Sequence, residues 1–409
     1  MILKTRRAES MVQYVMFTIL VVMTPFVVVT RFLQGTVYEI SHFKINLFGA
    51  HIPLVAAFAV GLFVAFLIWI RRDIKPRRVG GILVIICMIA LSQWVQDLYG
   101  GMSVYDLQKN WHYAAYCAYV FFFFRAFNRR GMPMNRMILF TFISAIGLST
   151  FDETFQFFLS DRIFDVSDIA KDSWGAMIGL IMVIFVTESY GAVNIEIKRL
   201  WKRRLSEYLR DPLSVFMICG TLSLLAILIS PLLTDHEYIG TFVLILAVCY
   251  AVVLGVWHFL QFKLFRAVFL GSVGLVLVLL AVSFVIHRND QITSDRFGLT
   301  VYKGIPVPFF DLLIYPNGLP RLADKKHFFN VMDRQFMLEQ KPSILLIGSG
   351  HLGRGGQGFK VKEGVYMAFN RYTLKGTQII VLPTPRACQV FNRLKSAGKN
   401  VMFIIHSTC

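Results

Sequence analysis

Long runs of apolar residues, separated by short polar connections, fill the chain as far as His287. A helix needs about 20 apolar residues to cross the roughly 30 Å of hydrocarbon in a bilayer. Runs of about that length lie at 10–30, 51–70, 137–159, 173–193, 212–233, 238–258 and 266–287, and two shorter ones lie at 80–96 and 111–127. The pattern therefore predicts a polytopic α-helical membrane protein of about nine transmembrane helices.

Beyond His287 the apolar and polar residues alternate over short distances, which is typical of a small soluble domain. Strands are predicted at 298–303, 310–315, 343–347, 377–382 and 400–405. Helices are predicted at 363–374 and 386–397. The chain is therefore expected to end in a small α/β domain over 288–409.

A basic stretch interrupts the hydrophobic part at 194–210, where Trp201 and Tyr208 accompany several Lys and Arg residues. It forms either a basic amphipathic helix on an anionic leaflet or an ordinary positively charged loop. Four segments are predicted on this basis: a six-span membrane domain at 1–193, a basic interfacial linker at 194–211, a three-span membrane extension at 212–287 and the soluble domain at 288–409.

Composition and charge support the membrane class and give an orientation. Hydrophobic residues make up 56% of the chain and charged ones only 16%, which excludes an ordinary soluble globular protein. Basic residues occupy every second connection between the apolar runs, as they do on the cytoplasmic side of membrane proteins. These are Lys4, Arg6, Arg7, the loop 71–78, Arg129, Arg130, Arg136, the stretch 198–210, Lys263 and Arg266.

The charge pattern predicts a multi-pass protein of the inner (plasma) membrane with a cytoplasmic N-terminus. With nine spans the C-terminal domain lies outside the cytoplasm. The chain has 42 Lys and Arg against 24 Asp and Glu, but it has no Lys/Arg-rich arm with interleaved aromatic residues. We therefore expect membrane lipids as partners and no nucleic acid.

Ionisable and other strongly polar residues next to the apolar runs are the best indication of function, because burying them in a membrane is costly. The predicted topology brings all of them to one leaflet. They are Asp97, Asp106, Lys109, His112, Asp152, Glu153, Gln156, Arg162, Asp165, Asp168 and Asp172. Asp152, Glu153 and Gln156 also share one face of a helix, because they are three and four residues apart.

These residues resemble the pattern of the VanZ-like family, which is named after a protein associated with resistance to the glycopeptide teicoplanin. The pattern falls on Lys109-x-x-His112 with Tyr116, Asp152-Glu153-x-x-Gln156, Arg162, Asp168 and Gly175-x-x-x-Gly179. Two positions depart from it: Gln108 stands where the family has an acid, and Asp172 where it has an asparagine. The resemblance covers about 80–190 and implies a bacterial cell-envelope membrane protein.

Three functions are consistent with this region. The resemblance implies binding or alteration of an envelope lipid or antibiotic target, as in glycopeptide resistance. Alternatively, the cluster is a membrane-embedded acid-base enzyme on a lipid-linked phosphate or glycan, with Arg162 binding phosphate and His112 or Glu153 as the base. The same residues could instead lock helix packing, with Arg162 paired to Asp165 or Asp168 and Gln156 bonding across helices.

The soluble domain carries a Gly348-x-Gly350-x-x-Gly353 motif directly after a predicted strand. The glycines continue to Gly358, and the domain is short for a dinucleotide fold, so a turn with positive φ is favoured over nucleotide binding. We expect no cofactor and no metal.

Thr384-x-x-Ala387-Cys388-x-x-Phe391-Asn392, together with Gly348-x-Gly350, resembles a small α/β family that includes a mitochondrial complex I assembly factor. The resemblance covers about 290–407 and implies a binding or assembly module with a protein partner. Cys388, at a predicted helix start, is either a reactive thiol or a buried small apolar residue, and burial is favoured. A scaffold acting through this domain is a further alternative function.

Overall fold

The computed structural model describes residues 2–28, 36–37, 39–41, 43–47, 50–70, 75–95, 107–127, 131–158, 164–188, 201–202, 204–233, 238–289, 291–323, 341–353, 364–369 and 376–408. The long helices described in the hydrophobic part are α1 (Ile2–Val28), α2 (Leu54–Ile70), α3 (Pro76–Val95), α4 (Leu107–Phe127), α5 (Met134–Phe157), α6 (Val166–Ile181), α7 (Pro212–Ile229), α8 (Ile239–Phe259) and α9 (Lys263–Ile286), and a short helical turn, Leu205–Tyr208, precedes α7. A π-helical segment, Met182–Val186, continues α6.

Six of the described helices are long and apolar enough to cross a membrane. The six stretches are Pro76–Gln93, Met134–Gln156, Val166–Val186, Pro212–Leu232, Ile239–Phe259 and Lys263–Ile286. Two further apolar stretches, Ala8–Thr24 and Leu54–Ala65, are shorter. The helices thus have the character of a membrane protein, whereas the count of about nine spans stays a prediction.

Local sequence signals set several helix starts. Asp165 precedes α6 and accepts a hydrogen bond from the Ser167 backbone N–H at 2.7 Å, and Asp211 caps α7 through the Ser214 N–H at 3.0 Å. The predicted run 51–70 begins instead in a hairpin of β1 (Lys44–Leu47) and β2 (Ala50–Pro53), so its helix starts only after Pro53.

The chain divides into two compact units, of which the second includes everything from Phe259 onward. Its strands are β3 (Ile292–Arg296), β4 (Leu299–Tyr302), β5 (Ile305–Pro308), β6 (Asp311–Ile314), β7 (Pro320–Ala323), β8 (Ile344–Gly348), β9 (Gly364–Phe369), β10 (Gly376–Leu382) and β11 (Val401–Ile405). Among its described residues α10 (Thr384–Ser396) is a further helix. The described part of this C-terminal domain thus has two sheets and a helix in addition to α9.

Six strands form the main sheet in the order β7-β6-β11-β8-β10-β9. The central strands β11, β8 and β10 are parallel, with Phe403 beside Leu346 and Leu346 beside Ile380. Every residue of β8 and β11 is buried, as expected for central strands covered on both faces. Helix α10 lies on one face, where its buried Phe391 stacks on Phe403 with ring centroids 5.0 Å apart.

The five predicted strands of this domain are confirmed, and so is the predicted helix at 386–397. The predicted helix at 363–374 is wrong, because its described part is strand β9, antiparallel to β10. The side chains of β9 alternate between partly buried and exposed, which is the two-residue period of a strand. Strands β3, β5 and β7 are not among the predicted elements.

Candidate functional site

A histidine and an aspartate from different helices form the centre of a polar cluster in the first unit. His112, near the start of α4, contacts Asp172 of α6 through Nδ1 and Oδ1 at 2.8 Å. The other carboxylate oxygen of Asp172 accepts a hydrogen bond from the buried Ser149 hydroxyl of α5 at 2.6 Å. Both oxygens of Asp172 are therefore bonded, and three helices meet at this one carboxylate.

Asp168 and Lys171 lie at the more open side of His112. The Asp168 carboxylate is 3.6 Å from His112 Nε2 and 2.5 Å from Lys171 Nζ. The side chains of His112 and Asp168 remain 18% and 23% exposed, whereas that of Asp172 is 3% exposed. The cluster therefore has a buried end at Asp172 and an accessible end at Asp168.

A second set of carboxylates lies on α5. As their spacing predicts, Gln156 donates from Nε2 to Asp152 at 3.2 Å and to Glu153 at 2.9 Å. Glu153 also accepts from the Asp165 backbone N–H at 3.0 Å, which ties the end of α5 to the start of α6. Both of these bonds are to residues of the same helix, one helical turn away, and the bonding of Gln156 across helices stays a prediction.

All three side chains of this set are buried, and the Oδ1 atom of Asp152 has no hydrogen-bond partner within the part of the chain that the structure describes. A buried acceptor without a partner is costly, and such groups concentrate where a protein binds something or does chemistry.

Close contact between α4 and α6 brings these residues together. A Cβ added to Gly175 would lie 2.9 Å from the Tyr113 carbonyl oxygen, and one added to Gly179 would lie 2.8 Å from the Cys117 carbonyl oxygen. No other residue fits at such distances, so these two glycines allow the backbones of α4 and α6 to approach closely. This contact is what places His112 against Asp172.

Part of the predicted site lies outside the described residues, namely Asp97, Asp106 and Arg162. Lys109 lies in α4, but its side chain is not described. The pairing of Arg162 with Asp165 or Asp168 therefore stays a prediction. Asp165 itself caps α6, and Asp168 contacts His112 and Lys171.

Two members of the cluster, Ser149 and Lys171, were missed at the level of sequence. Ser149 precedes Asp152 by three residues and Lys171 follows Asp168 by three, so helical spacing could have found both. Within the described ranges no three His, Cys, Asp or Glu side chains are arranged to hold a metal ion. The described side chains of the cluster are acids, bases and hydrogen-bonding groups.

The residues singled out in the C-terminal domain make internal contacts. Gly350 and Gly353 adopt φ of 92° and 71°, as predicted for a glycine-rich turn. The Thr384 hydroxyl accepts from the Gly350 N–H at 3.0 Å and donates to the His406 carbonyl at 2.7 Å. A Cβ on Gly348 would lie 2.7 Å from that hydroxyl, so Gly348 makes room for Thr384.

Asn392 and Cys388 also face inward. The Asn392 side chain accepts a hydrogen bond from the Ile292 N–H at 2.8 Å and donates one to the Ile292 carbonyl at 2.9 Å. These two bonds hold β3 against α10. Cys388 is buried, and burial raises the pKa of its thiol well above the usual range. Such a thiol is protonated and unreactive, which agrees with the small apolar residue favoured from the sequence.

One buried polar group of this domain was not predicted. Asp311, at the start of β6, contacts His406 Nδ1 and accepts from the Ser407 N–H at 2.9 Å. All three residues are buried. The sequence gives no local signal for this contact, because Asp311 and His406 are 95 positions apart.

Comparison with known proteins gives a family match for one region of the chain. Residues 93–187 match the VanZ/LLP1 family model, which supports the VanZ-like resemblance for that region. None of the curated proteins matches the chain. A solved structure titled MT938 has 27% sequence identity, a TM-score of 0.23, and a match covering 29% of this chain and 98% of that one. The resemblance of the C-terminal domain to the assembly-factor family stays a prediction.

Proposed function

We propose that the VanZ-like region is a ligand-binding site of a bacterial cell-envelope membrane protein, and that it binds the polar end of an envelope lipid or lipid-linked precursor. The observation that carries the proposal is the contact of His112 with Asp172 at 2.8 Å, at the buried end of a cluster whose other end is accessible. A polar cluster that served only to hold the helices together would not need side chains exposed at one end.

The charge of the cluster indicates what kind of group it would bind. Its described ionisable members are five carboxylates, one lysine and one histidine: Asp152, Glu153, Asp165, Asp168, Asp172, Lys171 and His112. Carboxylates accept hydrogen bonds and attract positive charge. The site therefore suits an amine or a hydroxyl-rich sugar better than a phosphate on its own.

Native mass spectrometry of the full chain in detergent tests this proposal. The probes are a lipid-linked disaccharide precursor and the same polyprenyl diphosphate without its sugars. The wild type should retain the sugar-bearing probe at least about tenfold better, and His112→Ala should abolish the difference. His258→Ala is the matched control, because His258 contacts Tyr208 and not the cluster. Equal retention of both probes by the wild type would overturn the proposal.

An antibiotic role, as in glycopeptide resistance, belongs to the same proposal. Expression in a susceptible bacterium should raise the teicoplanin concentration that stops growth, and His112→Ala should remove the increase at an equal level of inserted protein. No increase with the wild type would remove the resistance role and leave lipid binding to be judged by the retention assay.

The enzymatic alternative is favoured by the orientation of His112. Its Nδ1 contacts the buried Asp172, and its Nε2 lies 3.6 Å from Asp168 on the accessible side, a position from which a histidine can take part in acid-base chemistry. In the same spectrometry experiment an enzyme would change the mass of the probe, and His112→Ala would restore the unchanged mass. Retention of an unaltered probe supports binding alone.

We also propose the nine-span topology in the inner membrane, with a cytoplasmic N-terminus, the segment boundaries at 193, 211 and 287, and an extracytoplasmic C-terminal domain. Its support is the alternation of basic and basic-poor connections along the chain. The C-terminal domain would then act as an accessory module for a protein partner at the outer face.

A further inference from the structure

Helix α9 leads directly from the hydrophobic part into the C-terminal domain. None of its side chains is buried within the protein, and apolar residues continue to Ile286. Such a helix is surrounded by lipid when it spans a membrane. His287, Arg288 and Asn289 follow at once, so the span ends there, at the level of the lipid headgroups.

The C-terminal domain is fixed against the last turns of this helix. The Ser283 hydroxyl donates to the Gly304 carbonyl at 2.8 Å. Gly304, between β4 and β5, has φ of 73°, and a Cβ added there would lie 2.5 Å from the Ser283 hydroxyl. Because this approach requires glycine, the face of the domain next to Asn289 is held near the headgroup level.

A cavity of about 540 Å³ opens at that face. Asn289 and Gln291 line it from the segment that follows α9, and Lys395, Ser396, Lys399 and Asn400 line it from the end of α10 and the turn after it. Ligand sites for small molecules commonly have volumes of about 300–1,000 Å³. The cavity is therefore large enough for a phospholipid headgroup.

The described residues that line the cavity carry a net positive charge. Two lysines line it, and no carboxylate is found among its described lining residues. The carbonyls at the end of α10 are already paired, since Ala397, Gly398 and Lys399 donate their backbone N–H groups to three of them at 2.9–3.0 Å. The lysines are thus not required to cap the helix.

We infer that this cavity binds the phosphate group of an anionic phospholipid from the leaflet in which α9 ends. The ammonium groups of Lys395 and Lys399 attract the charge, and the amide and hydroxyl groups donate hydrogen bonds to the phosphate oxygens. The inference is independent of the proposed polar site at His112 and holds for either orientation of the chain.

Native mass spectrometry of the full chain after delipidation provides the test. Phosphatidylglycerol and phosphatidylcholine with identical acyl chains are the probes. The wild type should retain phosphatidylglycerol over phosphatidylcholine, and Lys399→Gln should weaken that retention by about fivefold, the effect of one basic residue near an anionic surface. Lys399→Arg should restore it. Lys303→Gln, a lysine in the same domain that is not part of the cavity lining, is the matched control.

Lys395→Gln is a second variant, with a larger expected loss. The Lys395 ammonium also donates to the Pro316 carbonyl at 3.0 Å. The melting temperature of the Lys395→Gln variant is therefore compared with that of the wild type. Equal retention of the two lipids by the wild type, or retention unaffected by Lys399→Gln and by folded Lys395→Gln, would overturn the inference. Binding of glycerol 3-phosphate in preference to the lipid would assign the cavity to a soluble phosphate ester and overturn the lipid source.

Discussion

At position 172 an aspartate stands where the VanZ-like pattern has an asparagine. The structure gives this departure a physical meaning, because the Asp172 carboxylate contacts both His112 and Ser149. A carboxylate forms stronger hydrogen bonds with a protonated histidine than a neutral amide does. This chain therefore has a carboxylate at the contact with His112, where the family pattern implies an amide.

Asp172→Asn tests this charge with almost no change of shape. We expect the affinity for the sugar-bearing lipid probe to fall by about tenfold, since a charged hydrogen bond becomes a neutral one. The amide still fills the space, so the melting temperature should change little. Asp211→Asn is the control, because asparagine caps a helix as well as aspartate does.

If Asp172→Asn keeps full affinity, the pair with His112 has no part in ligand binding. If instead the variant loses most of its membrane-inserted protein, the cluster serves helix packing. The two outcomes are separated by measuring inserted protein before the binding titration.

At the scale of elements, the decisive contact is between α4 and α6. Gly175 and Gly179 are four residues apart, so they lie on one face of α6 and allow the backbone of α4 to approach. The Asp172 side chain then reaches His112, one turn before these glycines. The polar contact and the glycine contact are thus parts of one helix pairing.

Gly179→Ala should force the two helices apart, because its Cβ would lie 2.8 Å from the Cys117 carbonyl and from Val120 Cβ. Overpacking of this kind costs about 1–3 kcal/mol, so the melting temperature in detergent should drop by several degrees. Gly147→Ala on α5 has no atom within 4 Å of the added Cβ and should be neutral or slightly stabilising. Equal melting temperatures for the two variants would show that α4 and α6 are not closely packed.

At the scale of the whole molecule, the open question is the side of the membrane on which the C-terminal domain lies. Alkaline phosphatase fused after Cys409 should be active, and a green fluorescent protein at the same position should be dark, if the chain crosses nine times. A fusion after Arg130, in a predicted cytoplasmic connection, is the control and should show the opposite pattern. Fluorescence after Cys409 would require an even number of crossings and would reverse the predicted location.

The sequence alone determined those features that depend on near neighbours along the chain. The membrane class follows from uninterrupted apolar runs, and the shared face of Asp152, Glu153 and Gln156 follows from helical spacing. The buried strands at 343–347 and 400–405 were predictable because central parallel strands are apolar on both faces. The glycine turn after β8 was predictable because only glycine adopts positive φ without strain.

The tertiary structure decided the features that join residues far apart in sequence. The contact of His112 with Asp172 depends on how closely α4 and α6 pack, and that of Asp311 with His406 depends on the order of strands in the sheet. The composition of the β9 segment is compatible with a helix or a strand, and only pairing with β10 selects the strand. Contacts of this kind depend on how the whole chain packs. A local sequence pattern carries no information about that packing.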